Sequence, residues 1–369
     1  MKINHITNLP VLIGLIVLAA LVSACQQQPR EHHDSFLVFG TIINITLFDV
    51  DDKTAEESFR DMREDLKLMH EVWHPWEPGS LTRMNKMLEH TVEFSASPSE
   101  LELIHIAKDL AIKSKHLFNP AVGKLSALWG FHSHKQSGVL PSAQAIHELV
   151  RQNPTLEDIT IRGIRVNNRN PAVKIDLGGI AKGFAIDRLL TYLKQRGVHN
   201  ALINTGGDLK VIGKHGNRPW KIAIRDPRID THKKQLNNKN TAASSDIVAT
   251  LELNDNEAAF TSGDYERYFK NKKSKNKDKH FHHIIDPRTG YPAVGTQSIT
   301  VLHQDAATAD AAATALFIAG PKQWVEIAKS MNIKYVLLID EEGKIHASEV
   351  MLKRVKFEQH REIIERVDL

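Results

Sequence analysis

Apolar positions alternate along Phe36 to Phe48 (FLVFGTIINITLF), a β-branched run that predicts a strand with Gly40 marking a bulge or a close approach. From Thr54 to Met69 the apolar spacing becomes helical, and it leads into WHPWEPGSLTRMN (Trp73 to Asn85), whose Pro and Gly residues predict a loop. Ser97 to Lys115 reads as a helix with Ser97 and Glu100 in capping-box spacing. His116 to Phe131 mixes a Pro/Gly turn with an apolar helix, Pro141 to Val150 is another short helix, and Ile159 to Ile175 should contain strands. Further strands are expected at His199 to Asn204, Trp220 to Arg225, Ile247 to Leu253 and Tyr335 to Asp340, with a helix at Gln323 to Met331 and a hairpin turn at Glu341-Glu342-Gly343. Strand runs mixed with non-alternating helices favour an α+β fold, mixed sheets flanked by helices, over a doubly wound sheet.

The chain is organised around KIDLGGIAKGFAID, Lys174 to Asp187. Val173, Ile175 and Leu177 predict a strand, Gly178 and Gly179 break it, and helical spacing runs from Ile180 through Phe184 and Leu189 to Leu193. A strand, a glycine turn and a helix start present free backbone N–H groups able to hold an anion. Asp176 at the turn and Lys182 in the helix place both charge signs there. Taken alone this is an ordinary strand-to-helix connection, and it lacks the G-x-G-x-x-G pattern of a dinucleotide loop.

Composition changes little: 369 residues, 41% hydrophobic and 25% charged, are ordinary for a globular protein. The net charge of +4 has its lysines clustered, and no nucleic-acid surface is inferred. Asp230 to Ser245 and Lys270 to Lys279 read as solvated polar insertions. The N-terminus changes more. Lys2 precedes an apolar run, Val11 to Val22, too short for a comfortable membrane span. The run ends in Leu21-Val22-Ser23-Ala24-Cys25, resembling a bacterial lipoprotein signal, and Cys25 is the one cysteine of the chain. Residues 1–24 are therefore expected as a signal peptide, Cys25 as the lipidated membrane anchor, 25–35 as a tether, 36–348 as the functional domain and 349–369 as a C-terminal tail. With no second thiol, neither a disulfide nor a thiolate metal site can form in the domain.

Asp310 and Thr314 are four apart in an alanine-rich helix and share one face. A carboxylate and a hydroxyl beside an anion-holding turn suit a hard cation such as Mg2+. His283 and Asp286 fall in a Pro/Gly turn, where functional side chains gather, although Asp286 to Gly290 also reads as a plain capped turn.

In one order the chain carries FGT at Phe39, WEPGSLTRMN at Trp76, FNPAVG at Phe118, DLGGIAKGFAID at Asp176, NTGGDL at Asn204, TSGDYERYF at Thr261, HIIDPRTGYP at His283 and TADAAATALFIAG at Thr308. Together these resemble the bacterial FAD:protein FMN transferases, the ApbE-type flavin transferases, from about Phe36 to about Ile339. The resemblance implies a Mg2+-dependent enzyme that splits FAD, joins FMN to a Thr or Ser hydroxyl of an acceptor flavoprotein through a phosphoester, and releases AMP. It places FAD against Phe39, Trp76, Leu117, Phe118, Asn119, Asp176, Lys182 and Ile285, and the metal on the Gly179 carbonyl, Asp310 and Thr314. Ala313 stands where relatives often have Ser or Asp, Lys182 where some have Glu, and Asn119 where Asp is frequent. His283 or Asp286 is the expected general base, His283 alternatively serving only to orient the phosphate. A FAD pyrophosphatase and a non-catalytic flavin-binding lipoprotein are the competing expectations. The expected location is a membrane-anchored lipoprotein facing the periplasm, with the inner membrane favoured; Gln26 after the cysteine does not decide between the two membranes.

Overall fold

The structure, a computed structural model, describes residues 30–133, 139–228, 246–270, 280–358 and 363–369. The leader, Cys25 and nearly all of both polar insertions lie outside the described residues. The first alternating run is two strands rather than one. β1 (Glu31–Val38) and β2 (Thr41–Phe48) pair antiparallel from Glu31↔Phe48 to Val38↔Thr41. Phe39 and Gly40 have φ of 53° and 71°, so the expected bulge is a two-residue turn whose twist suits the hairpin. Glu31 to Ser35 belong to β1 and not to a tether, because pairing with β2 satisfies their backbone.

Next come α1 (Asp52–Trp73), α2 (Ser80–Glu89), β3 (Phe94–Ser95), α3 (Pro98–Lys113), α4 (Gly123–Leu128) and α5 (Ala143–Gln152). They are followed by β4 (Ile159–Arg162), β5 (Arg165–Asn168), α6 (Ala181–Gln195), β6 (Ala201–Thr205), β7 (Asp208–Ile212), β8 (Trp220–Arg225) and β9 (Ile247–Leu253). Then β10 (Ala258–Gly263), β11 (Tyr268–Lys270), β12 (His280–His282), β13 (Thr296–His303) and α7 (Ala306–Ser330) complete the site-bearing part. β14 (Tyr335–Asp340), β15 (Ile345–Ser348), α8 (Glu349–Leu352), β16 (Val355–Phe357) and β17 (Ile363–Val367) finish the chain. The last segment is thus woven into the sheets.

One expectation fails for a local reason, and one helix proves to be part of a longer element. Ser80 to Asn85 is helical: Pro78 and Gly79 precede α2 instead of forbidding it, and Leu81, Met84 and Leu88 share its buried face. Gln323 to Met331 is the second half of α7, which continues from Ala306 through a break at Gly320 (φ 64°) before Pro321. The capping box at Ser97 and Glu100 is present.

Among the described residues the main sheet has nine strands in the order β1-β2-β6-β7-β10-β13-β14-β15-β17, antiparallel except for β15 with β17. Alternation sends Ile43, Ile45, Phe260, Ile299, Val301, Val336 and Leu338 into the core under α1, α3, α6 and α7. It sends Leu209, Val211, Leu302, Leu337 and Ile339 to the other face, against the small sheet β16-β9-β8 with Trp220, Ile224 and Leu251. Both faces are covered, and the α+β expectation holds. A third cluster (Leu125, Trp129, Phe131, Ile146, Phe269, Ile285) joins α4 and α5 to the β11–β12 hairpin.

Candidate active site

Val173 to Leu177 is extended, but it forms a single bridge, Val122↔Lys174, in place of the expected strand. Its hydrogen bonds go elsewhere. Lys174 N–H donates to Ala121 O at 3.0 Å and Asp176 N–H to Pro120 O at 2.8 Å. The Asn85 amide takes both polar groups of Ile175, at 2.7 and 2.9 Å. The segment then turns through Gly178, whose N–H donates to Asp176 Oδ1 at 3.0 Å. A Cβ on Gly179 would stand 3.2 Å from Thr314 Oγ1 and 3.4 Å from the Phe118 ring, so the absent side chain lets this backbone approach α7. Gly183 matters more for packing: its Cβ would fall 2.2 Å from Ala306 O, and its N–H donates to Asp310 Oδ2 at 3.0 Å. The turn and α6 therefore lie directly on the first half of α7, and part of the N–H surplus at the helix start is used by carboxylates of the chain itself.

One cation and three carboxylates meet there. Lys182 Nζ donates to Asp208, whose other oxygen accepts the Thr261 N–H at 2.9 Å. Burial alone would favour neutral Lys182, but the charges of Asp208, Asp310 and Glu266 outweigh it and hold the ammonium protonated well above its usual range. Burial lifts the Asp310 carboxyl to about 7, with repulsion from Asp208 adding to it and Lys182 opposing. Glu266 is exposed at the rim, so what pushes it up there is repulsion from Asp208 and Asp310, opposed by Lys182 and Arg225. Asp310, with Thr314 one turn on and the Gly179 backbone beside Thr314, suits a hard cation: the buried carboxylate lacks enough positive charge around it. Asp187 on α6 braces this arrangement, taking the Ala306 and Ala307 N–H groups of α7 and the Lys210 ammonium at 2.8, 3.1 and 2.7 Å.

The two adjacent histidines differ. His282 is buried and saturated: Nε2–H donates to Ala293 O at 2.8 Å and Nδ1 accepts the Ile284 N–H at 3.3 Å. His283 is half-buried, and its Nδ1–H donates to Arg267 O at 3.2 Å, which leaves Nε2 with the lone pair. Burial, together with the charges of Arg267 and Lys182, lowers its pKa to about 3, so the ring is neutral. Asp286 does not face the site as a base. Both its oxygens are clamped by Arg288, at 2.8 to 3.2 Å, and one also accepts the Arg288 N–H at 2.9 Å. It is a turn residue.

Of the expected flavin contacts, Asp176 and Lys182 flank the junction. Burial raises the Asp176 carboxyl, and the Gly178 N–H bond and the charge of Arg267 act against that rise. Leu117 and Phe118 are buried, so their side chains serve the core. Asn119 is committed to its turn, donating to Pro154 O and accepting from Ala121 N–H at 2.9 and 3.0 Å. Ile285 packs in the third cluster with Leu125 and Trp129. Phe39 stacks on Trp73 at 6.3 Å, and Trp73 meets Phe184 of α6 at 5.4 Å. Trp76 lies under the Lys174 ammonium at 4.9 Å and against His132 at 5.7 Å. Sequence reasoning missed Asp208, Glu266 and Arg267. All three sit in runs noticed only as wholes, NTGGDL and TSGDYERYF.

A profile of the ApbE family matches residues 39–337. The chain is 36% identical to a FAD:protein FMN transferase of Rhodobacter capsulatus over 350 residues, 95% of this chain and 63% of that protein, so it spans less than two thirds of that relative. It is 28% identical to a FAD:protein FMN transferase of Vibrio cholerae over 346 residues, 90% of this chain and 96% of the relative. The solved ApbE protein of Thermotoga maritima superimposes with a TM-score of 0.76 at 30% identity, covering 90% of this chain and 100% of its own. The flavin transferase ApbE from Vibrio cholerae gives 0.71 at 26% identity, covering 88% and 99%. With that reach along the sequence and that agreement in fold, the chain belongs to the ApbE family, the family of the FAD:protein FMN transferases.

Proposed function

We propose that this chain moves FMN from FAD to a threonine or serine hydroxyl of an acceptor flavoprotein, with Mg2+, releasing AMP. The observation that supports it best is the meeting of Gly179, Asp310 and Thr314 beside Lys182 and Asp208, within electrostatic reach of His283. Asp310, Thr314 and the Gly179 carbonyl are the residues to hold Mg2+, which when bound neutralises charge on the phosphate oxygens. Lys182, kept protonated by its carboxylate neighbours, holds the same anion from the α6 side. His283 Nε2 takes the proton of the acceptor hydroxyl as its oxygen bonds to the FMN phosphorus and the phosphoanhydride to AMP breaks. The negative charge of bound FAD offsets Arg267 and Lys182, so the ring is a stronger base in the complex than in the free protein. Asp176, Phe39 and Trp76 hold the flavin nucleotide.

Incubation with FAD, Mg2+ and a flavoprotein carrying a target threonine should yield the FMN adduct, located by peptide mass spectrometry, and EDTA should abolish it. Stoichiometric FMN and AMP in the absence of any acceptor would show a pyrophosphatase instead. We further propose that Cys25 is lipidated and tethers the domain to a membrane on the periplasmic side, which the leader pattern supports. A chain starting at Gln26 should then be soluble and fully active. Among the described residues no helix is long and apolar enough to cross a membrane.

A further inference from the structure

His70, His74 and Glu77 gather at the end of α1, with one potential ligand atom from each within 4.8 Å of the others. Two histidines four apart and a carboxylate have the outline of a cation site. The hydrogen bonds oppose that reading. His74 Nδ1 accepts the backbone N–H groups of Glu77 at 2.8 Å and Trp76 at 3.3 Å. A neutral imidazole that accepts at Nδ1 carries its proton on Nε2. Nε2 is the nitrogen that faces Glu77 Oε1, 3.9 Å away. Ligation there would require an imidazolate or the loss of both backbone bonds.

We propose that His74 is a positioning residue for flavin binding: it fastens the turn that presents the Trp76 ring. The proposal rests on the reading of Trp76 as a flavin contact given above. Trp76 and Glu77 lie between Pro75 and Pro78, which have no N–H, and both of their N–H groups go to this one nitrogen. Thr82 Oγ1 closes the turn from the far side, donating to His74 O at 3.3 Å and to Glu77 O. His74 N–H donates to His70 O at 3.0 Å, so the imidazole is seated on the last turn of α1. Gly79 leaves no slack, since a Cβ there would fall 2.3 Å from Glu71 O. The His74 ring meets the His70 ring at 5.0 Å, and His70 meets Phe39 at 5.6 Å, so one strut supports both aromatic groups assigned to the flavin. Holding the ring before FAD arrives removes an ordering cost from binding.

The device depends on pH. Protonation at Nδ1 removes the acceptor that both N–H groups need. The charged and titratable groups around the ring are Glu77 and His70 on its own segment, Asp176 across the junction, and Lys174 over the Trp76 ring.

The test is FAD affinity of the full chain between pH 5 and pH 8, with Mg2+, for wild type, His74→Asn, His74→Ala and Trp76→Ala. His74→Ala should bind FAD about tenfold more weakly, the scale of one or two lost hydrogen bonds, with turnover at saturating FAD unchanged. In His74→Asn an amide oxygen accepts both N–H groups without titrating, so affinity should return at pH 8. With Mg2+ kept saturating at each pH, its loss of affinity in acid should also be smaller than that of wild type. Equal acid profiles for wild type and His74→Asn, or an Asn variant no better than Ala, would overturn the proposal. Unchanged FAD affinity in Trp76→Ala would remove the flavin reading of Trp76 itself, and the proposal with it. Stoichiometric Zn2+ binding lost in His74→Ala would overturn it in favour of a metal site.

Discussion

Replacing Asp310 with Asn should stabilise the metal-free fold and abolish Mg2+-dependent turnover in the same molecule. The Asp310 carboxyl is lifted from 3.8 to about 7, first by burial and then by Asp208, against the pull of Lys182 and the Gly183 N–H. A carboxyl raised in the folded state costs nothing below 3.8, where folded and unfolded chains both hold the proton; the cost grows as pH rises and is complete above about 7. From 3.8 to about 7 is roughly three decades, and at ~1.4 kcal/mol per decade the ceiling is about 4 kcal/mol. Neighbouring charged groups share this cost, so about half of that, ~2 kcal/mol, is expected of this residue alone. Asn has nearly the same volume and keeps an oxygen for the Gly183 N–H, now at 3.0 Å, so no cavity forms and that donor stays paired. In EDTA at pH 8 the variant should melt a few °C above wild type, the shift such an energy gives in a chain of this size. At pH 4 the two should nearly coincide. Added Mg2+ should raise the melting point of wild type and leave the variant unmoved. A variant that melts below wild type at pH 8 in EDTA would refute the reasoning, because Asp310 would then be satisfied without a cation.

Other substitutions separate packing from chemistry. Gly183→Ala drives a Cβ to 2.2 Å from Ala306 O and 2.8 Å from Ala307 Cα, so it should cost about 1–3 kcal/mol of stability in thermal melts; Gly179→Ala meets the Thr314 hydroxyl at 3.2 Å and the Phe118 ring in ordinary contact at 3.4 Å, and should melt near wild type yet lose Mg2+-dependent turnover. The opposite pattern would misplace the metal. His283→Asn should reduce turnover about 10²-fold or more with FAD affinity held, whereas His282→Asn should lose ~1–2 kcal/mol of stability and little turnover. With the His283 ring lowered to about 3, its own acid limb of kcat/KM, read at Mg2+ concentrations that keep Asp310 ionised, should lie well below the usual histidine range, and a profile unchanged in His283→Asn would exclude that ring as the base. Asp286→Asn breaks the Arg288 clamp and should cost ~1–3 kcal/mol of stability with near-normal turnover; a turnover loss like that of His283→Asn would return the base to the carboxylate.

What the sequence made legible was local in origin. The β8, β9 and β14 boundaries coincide with their alternating runs, and the Ser97 box stands where its spacing put it, because each depends on neighbours within a few residues. Errors arose where partners are distant. Val173 to Leu177 alternates like a strand, but the Asn85 amide and the turn at Pro120 occupy the groups a neighbouring strand would have used. Gly40 alone read as a bulge or close approach because only Gly is permissive at positive φ, and nothing local announces that Phe39 adopts it too. Asp310 and Thr314 were visible as a helical pair, while Asp208 and Glu266, which set their charge, arrive from β7 and the turn after β10. No periodicity encodes that convergence.

The convergence also supports the proposal that the site takes a cation. Asp208, Glu266 and Asp310 share the Lys182 ammonium, whose Nζ is already bound to Asp208, while Arg225 acts on Glu266 alone. Two of the three carboxylates respond by holding their protons, with Asp310 near 7. A nucleotide pyrophosphate brought to the same place adds negative charge to a surplus of it. A divalent ion at Asp310 and Thr314 reverses the sign for both parties: it lets the carboxylate ionise and gives the phosphate oxygens a counter-charge. Lys182 alone cannot do both, since the charge it lends to Asp208 is not available in full to the substrate. Metal and FAD should therefore each strengthen the binding of the other by the same factor, as reciprocal linkage requires.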